Sequence, residues 1–164
     1  MNSITSLMDK VKMGFGKVFG SEQKVSANLV ATLIGPDGLI KDVRTVHNTV
    51  TNAGKYGAAD QVLASPSLTK PGWMEVGTGT GGTTKLNTYV AGSRTALDSK
   101  TRSDAVVTMI CTFGAGVGTG ALTEAGIFDV VTQDTVNMWC YATFAAINKA
   151  AGDSLVITWT LTYA

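Results

Sequence analysis

Apolar and polar residues alternate most regularly over residues 155–164. Leu155, Ile157, Trp159, Leu161 and Tyr163 share one parity, and Thr158, Thr160 and Thr162 share the other, with Val156 the exception. A period of two carried by β-branched and aromatic residues predicts a half-buried strand. The same period recurs at Val107, Met109, Cys111 and Phe113 within 105–113, and at Val136, Met138, Cys140, Ala142 and Phe144. Residues 25–34 predict a first strand. Pro36, Asp37 and Gly38 predict a turn, and 39–50 return as a second strand. Asn52 is placed to cap a short helix over 53–64, with Tyr56, Ala59 and Leu63 on one side and Ser65 and Pro66 ending it. Trp73 to Val76 predicts a short strand, 85–102 a long surface excursion, 122–131 an interrupted strand, and Gln133 and Asp134 a turn. Six or seven strands with frequent turn signals predict an all-β domain over 24–164, an antiparallel β-sandwich or jelly-roll-like fold with one short helix. No helix of crossover length separates the C-terminal strands, which argues against a parallel α/β sheet.

Residues 1–23 follow a different rule. Ile4, Leu7, Met8, Val11, Phe15, Val18 and Phe19 recur at helical spacing, while Lys10, Lys12 and Lys17 outweigh Asp9 on the other side. Gly14, Gly16 and Gly20 each weaken a helix by up to about 1 kcal/mol relative to Ala. The pattern predicts an N-terminal amphipathic interaction arm, marginally helical alone, that orders on contact with a surface. Its own domain, a neighbouring chain and an anionic lipid surface are the three candidates. The glycine breaks argue against strong lipid binding.

Composition sharpens this picture. Of 164 residues 45% are hydrophobic and 15% charged, against about 25% charged in a typical domain. Nineteen glycines and recurrent threonines suit tight turns and a surface covered by neighbours. A formal net charge of +1 offers no global attraction for nucleic acid. No apolar run approaches the roughly 18 residues of a membrane span.

Candidate chemistry is sparse. Gly77-Thr78-Gly79-Thr80-Gly81-Gly82 has the form Gly-x-Gly-x-x-Gly after a strand, but Thr83 to Tyr89 carries no apolar helical stripe to open a dinucleotide fold. Gly116, Gly118 and Ala121 form a looser match, read as a turn. His47 is the sole imidazole, and no acidic motif around it would orient it as a base. Cys111 and Cys140 read as small buried hydrophobes, and with one histidine they fit no zinc pattern, so no metal or cofactor is expected. Glu75, Asp98, Asp104, Glu124, Asp129, Asp134 and Asp153 mostly flank turns, and Glu124 reads as a solvated or interface charge. Trp73, Tyr89 and Tyr141, if exposed, would suit a carbohydrate-binding sandwich instead.

Four segments occur in a telling order: Val50-Thr51-Asn52-Ala53-Gly54, Val76-Gly77-Thr78-Gly79-Thr80, Leu122-Thr123-Glu124-Ala125-Gly126-Ile127-Phe128, and Gly152-Asp153 leading to Ile157-Thr158-Trp159-Thr160-Leu161-Thr162. The series resembles small virion structural proteins of tailed bacteriophages, which occur among head-decoration (cement) and tail or neck components. It covers about residues 48–164 and leaves the arm outside. The resemblance implies a subunit that works by assembly and has no catalytic residues. The expected role is a capsid decoration protein, homotrimeric, bound to the major capsid protein or other virion proteins. A tail, neck or fibre-attachment subunit is the alternative. Ile4, Leu7, Met8, Val11, Phe15, Val18 and Phe19 are the expected partner contacts, with neither nucleic acid nor membrane involved. Beside the resemblance, Gly54 reads as a site of close packing and Gly126 as a bulge or close approach.

Overall fold

The computed structural model describes residues 24–163, so the predicted arm and its seven apolar positions lie outside the described residues. Among the described residues ten strands and one helix follow in order: β1 (Val25–Ile34), β2 (Ile40–His47), β3 (Thr49–Val50), α1 (Asn52–Asp60), β4 (Trp73–Gly77), β5 (Thr95–Ala96), β6 (Ser99–Ser103), β7 (Val106–Phe113), β8 (Gly120–Phe128), β9 (Met138–Lys149) and β10 (Ser154–Tyr163). They build two five-stranded antiparallel sheets, ordered β2-β1-β10-β7-β6 and β3-β9-β8-β4-β5. The pairing is nested: β1 with β10, β3 with β9, β4 with β8 and β6 with β7.

The alternating patterns supply the core. Leu29, Trp159 and Met109 stand in one row across β1, β10 and β7, followed by Ala31, Ile157 and Cys111, then Leu33, Leu155 and Phe113. All nine are buried and pack against Met74, Val76, Leu122, Ile127, Ala142 and Phe144 of the second sheet. The small Ala31 beside Ile157 lets the two faces interdigitate.

The stretch 39–50, expected as one strand, is two in the structure. β2 stays in the first sheet, and after Asn48 the chain crosses to pair Thr49 with Tyr141 and Val50 with Cys140 in the second. The helix begins one residue early. Thr51, not Asn52, is its cap: the Thr51 hydroxyl accepts from the Gly54 amide at 3.1 Å and donates to the Met138 carbonyl. It ends at Asp60, whose carboxylate accepts from the Ser67 hydroxyl and the Leu68 amide, so it never reaches Ala64. Its packed side is not Tyr56, Ala59 and Leu63, since Tyr56 and Leu63 are exposed; Gly54 and Gly57 are the buried positions.

That glycine face meets Trp139. β9 carries an extra residue opposite the Ile127–Phe128 step of β8, and this bulge is why Met138, Trp139 and Cys140 are all buried in succession. A Cβ on Gly54 would stand 2.2 Å from the Trp139 carbonyl oxygen, and one on Gly57 2.1 Å from Cζ2 of its indole. Gly54 is thus the close approach the sequence suggested. Residues 85–102 are not a simple surface excursion. They supply β5 and most of β6; Leu86 and Arg94 are buried against Phe128 of the second sheet, and the buried Ser93 hydroxyl bonds the Val76 backbone.

Candidate interaction surface

The glycine-rich loop after β4 holds a carboxylate of its own chain. Glu124, on β8, is fully buried rather than solvated, which corrects its reading as a surface charge. Its Oε1 accepts from the amides of Gly79 (3.2 Å) and Thr88 (2.8 Å), and its Oε2 from the Asn87 amide (3.2 Å) and the Tyr141 hydroxyl (2.9 Å). A Cβ on Gly77 would stand 2.6 Å from Glu124 Oε1, and one on Gly79 2.9 Å, so the glycines make room for this carboxylate. Gly77 is also the cross-strand partner of Glu124. The loop therefore works as an internal anion cradle, and no helix opens at its end.

A second buried carboxylate follows the same plan. Glu75 on β4 lies opposite Gly126 on β8 and pairs with Arg94 at 2.9 Å, both side chains almost fully buried. The Arg94 guanidinium stacks 3.5 Å above the Phe128 ring and donates to the Val130 carbonyl, while Gln133 donates to Glu75 and to the Val90 carbonyl. Gly126 leaves space for neighbours: a Cβ there would meet Met138 Sδ at 2.7 Å and Phe128 at 2.9 Å. In the β9–β10 turn, Asp153 is buried, takes the Lys41 ammonium at 2.8 Å and accepts from the Ala150 amide. Those two donors hold its carboxyl below the ordinary value. Lys149 donates to the carbonyls of Gly114 and Asp153, and burial lowers its pKa.

These groups are fastened to the fold instead of converging on a cleft. His47 closes β2 in an exposed position. Cys111 and Cys140 are buried, free and pushed up to about 12 by desolvation. Among the described residues no three of His, Cys, Asp and Glu gather where a metal could sit, and no helix is long and apolar enough to cross a membrane. Trp73 and Tyr141 pack against Leu86, Phe128 and Met138, while Tyr89 is exposed.

Two features face outward. The outer side of the first sheet carries Thr45, Val30, Thr158, Ile110 and Ser99 in one row across five strands, and Val43, Thr32, Val156 and Thr112 in the next, with no charged side chain in either. At one end of the sandwich a groove runs between α1 and the strand ends. One part, of about 390 Å³, is lined by Val25, Val50, Val62, Trp139, Leu161 and Tyr163 among others. A second part, of about 340 Å³, shares Ala58, Trp139, Leu161 and Tyr163 with it and adds Val107 and Met109. Lys55, Lys70 and Lys100 rim the groove. Sequence patterning did not single out this groove. Its one signal was the i, i+3 spacing of Gly54 and Gly57, which thins one face of the helix so that it lies close on β9. No family model, no curated protein and no solved structure matches this chain.

Proposed function

We propose that this chain is a structural subunit of a tailed-phage virion, a decoration protein of the head shell that acts by burying apolar surface against neighbouring virion proteins. The observation that carries the reading is the contrast between interior and exterior. Glu75, Arg94, Glu124, Lys149 and Asp153 are fastened to internal partners, while the exterior offers an uncharged Thr/Val/Ile sheet face and an apolar groove. Such a surface suits association better than turnover of a small substrate. On this reading Ile4, Leu7, Met8, Val11, Phe15, Val18 and Phe19 make the partner contacts. Each buried Å² contributes about 25 cal/mol before association costs, and repetition over a shell lets single contacts stay modest.

The test is stoichiometry on native particles together with binding of variants. A shell protein is present in hundreds of copies, whereas a handful would favour a tail, neck or fibre-attachment subunit. Removing residues 1–20, or placing Asp at Leu7 and Phe15, is expected to leave a folded sandwich that no longer binds particles. Undiminished binding by both variants removes the arm from the mechanism, and absence of the chain from purified virions refutes the reading.

A further inference from the structure

We infer that the free edge of β2 pairs with β2 of a second copy of this chain, antiparallel about a two-fold axis at Val43, so that the two first sheets run on as one. β2 ends the first sheet, and among the described residues no strand pairs with its other side. The Asn48 amide donates to the Ala27 carbonyl, and the register carries that parity to Leu29 with Val46, Ala31 with Arg44 and Leu33 with Asp42. Asp42, Arg44 and Val46 therefore direct their backbone groups at β1, while Val43, Thr45 and His47 turn theirs outward. The Arg44 guanidinium reaches round this edge and donates to the Val43 carbonyl at 3.1 Å. Leu39, Ile40 and Val43 are exposed along it.

Charge selects the register. Asp42 and Arg44 share one face of β2 and pair with each other within the chain. About an axis at Val43, each Asp42 lies opposite Arg44 of the other copy, and Val43 faces Val43. An axis at Asp42 or at Arg44 would oppose two like charges, one at Lys41 two lysines, and one at Thr45 would set Arg44 against Val46. Lys41 is the extra residue of the bulge beside Asp42, and its ammonium is held by Asp153. The bulge confines regular pairing to the few residues around Val43, so the dimer is weak. The other terminal strands are guarded. β3 and β5 have two residues each, and β6 carries Lys100 and Arg102 with no acid. Pairing at Val43 also joins the uncharged row Val43, Thr32, Val156 and Thr112 to its copy, on the same side of the sheet. Two-fold pairing differs from the trimer that the resemblance implies, and its test does not depend on the virion reading.

The experiment follows the mass of the full-length chain against concentration, by sedimentation equilibrium from about 10 μM to about 1 mM. The parent is expected to pass from monomer to dimer over that range. Asp42→Arg and Arg44→Asp each set like charges opposite one another across the axis. Each is expected to stay monomeric alone and to form a one-to-one dimer when the two are mixed. Val43→Pro removes an outward amide that β1 does not use, so the fold is expected to survive and the dimer to be lost. Val43→Cys, in an otherwise unaltered chain, reads the register. The axis sets two Val43 Cα atoms about 5.5 Å apart and two Thr45 Cα atoms about 14 Å apart. An interchain disulfide is therefore expected to form about tenfold faster at 43 than in Thr45→Cys, with the native Cys111 and Cys140 buried. A parent that stays monomeric at about 1 mM, charge variants that associate alone as readily as the parent, or equal disulfide rates at 43 and 45 would overturn the inference.

Discussion

The contact between α1 and Trp139 makes a prediction whose sign is opposite to helix propensity. In an exposed helix, Gly→Ala gains about 0.8–1.0 kcal/mol. At Gly57 the added methyl would stand 2.1 Å from Cζ2 and 2.3 Å from Cη2 of the Trp139 indole. Overpacking of that kind costs about 1–3 kcal/mol, so Gly57→Ala is expected to lose up to about 2 kcal/mol net. Trp139→Phe removes the six-membered ring of the indole from that position. In that background Gly57→Ala is expected to become neutral or stabilising. Gly54→Ala behaves differently, because its obstacle is the Trp139 carbonyl oxygen at 2.2 Å, which any residue at 139 retains. It is expected to cost about 3 kcal/mol in both backgrounds, at the upper end of overpacking. Urea unfolding of the full-length chain at fixed concentration, followed through the remaining Trp73 and Trp159, measures the cycle. A higher midpoint for Gly57→Ala in the parent chain, or equal rescue of both glycines by Trp139→Phe, would refute the packing argument.

Other outcomes follow from the buried polar groups. Glu124→Gln turns one acceptor oxygen into a donor facing backbone N–H groups, and is expected to cost about 1–3 kcal/mol. Hydrogen exchange should then quicken at the Gly79, Asn87 and Thr88 amides, whereas Tyr141→Phe costs about 0.5–1.5 kcal/mol. Glu75→Leu leaves Arg94 buried without its counter-charge and is expected to cost about 3–5 kcal/mol, much of it recovered by adding Arg94→Met, as chemical denaturation would report. The depressed Asp153 carboxyl contributes stability that is complete above the ordinary carboxylate value, about 3.9, and is lost as pH falls through its lower folded value. Thermal unfolding of Asp153→Asn between pH 7 and pH 2 should accordingly show a shallower acid limb than the parent. With both thiols pushed up to about 12, a thiol reagent at pH 8 should label no cysteine in the folded chain and both in urea.

The sheets were legible where alternation ran unbroken. β1, β7 and β10 fall where their apolar parity places them, because a one-residue slip would turn Leu29, Met109 or Trp159 out of the core. The switch of sheets at Asn48 was not foreseen, since residues 39–50 hold no Gly or Pro to divide them and only tertiary pairing tells β2 from β3. The helix face was misread because it packs through glycines, which a search for apolar stripes passes over. Glu75 was read only as one of the acidic residues that mostly flank turns, and Glu124 as a solvated or interface charge, because their partners, Arg94 and the Gly79–Thr88 amides, come from a stretch with no period of its own. Each faces a cross-strand glycine, Gly126 and Gly77, and that pairing is visible only once strand register is known. The arm's contacts depend on a surface that no local pattern reveals, and the groove is assembled from segments scattered between Val25 and Tyr163.

The nested pairing of β1 with β10 has a consequence for biosynthesis. As the nascent chain leaves the ribosome, Val25–Ile34 emerges more than a hundred residues before Ser154–Tyr163, its neighbour at the middle of the first sheet. Until then the β1–β2 hairpin exposes Leu29, Ala31 and Leu33 with nothing to cover them. Closure of the sandwich is therefore a late event, as slow as other folds dominated by distant pairings. Prematurely terminated translation products lacking β10 should aggregate rather than accumulate in native form.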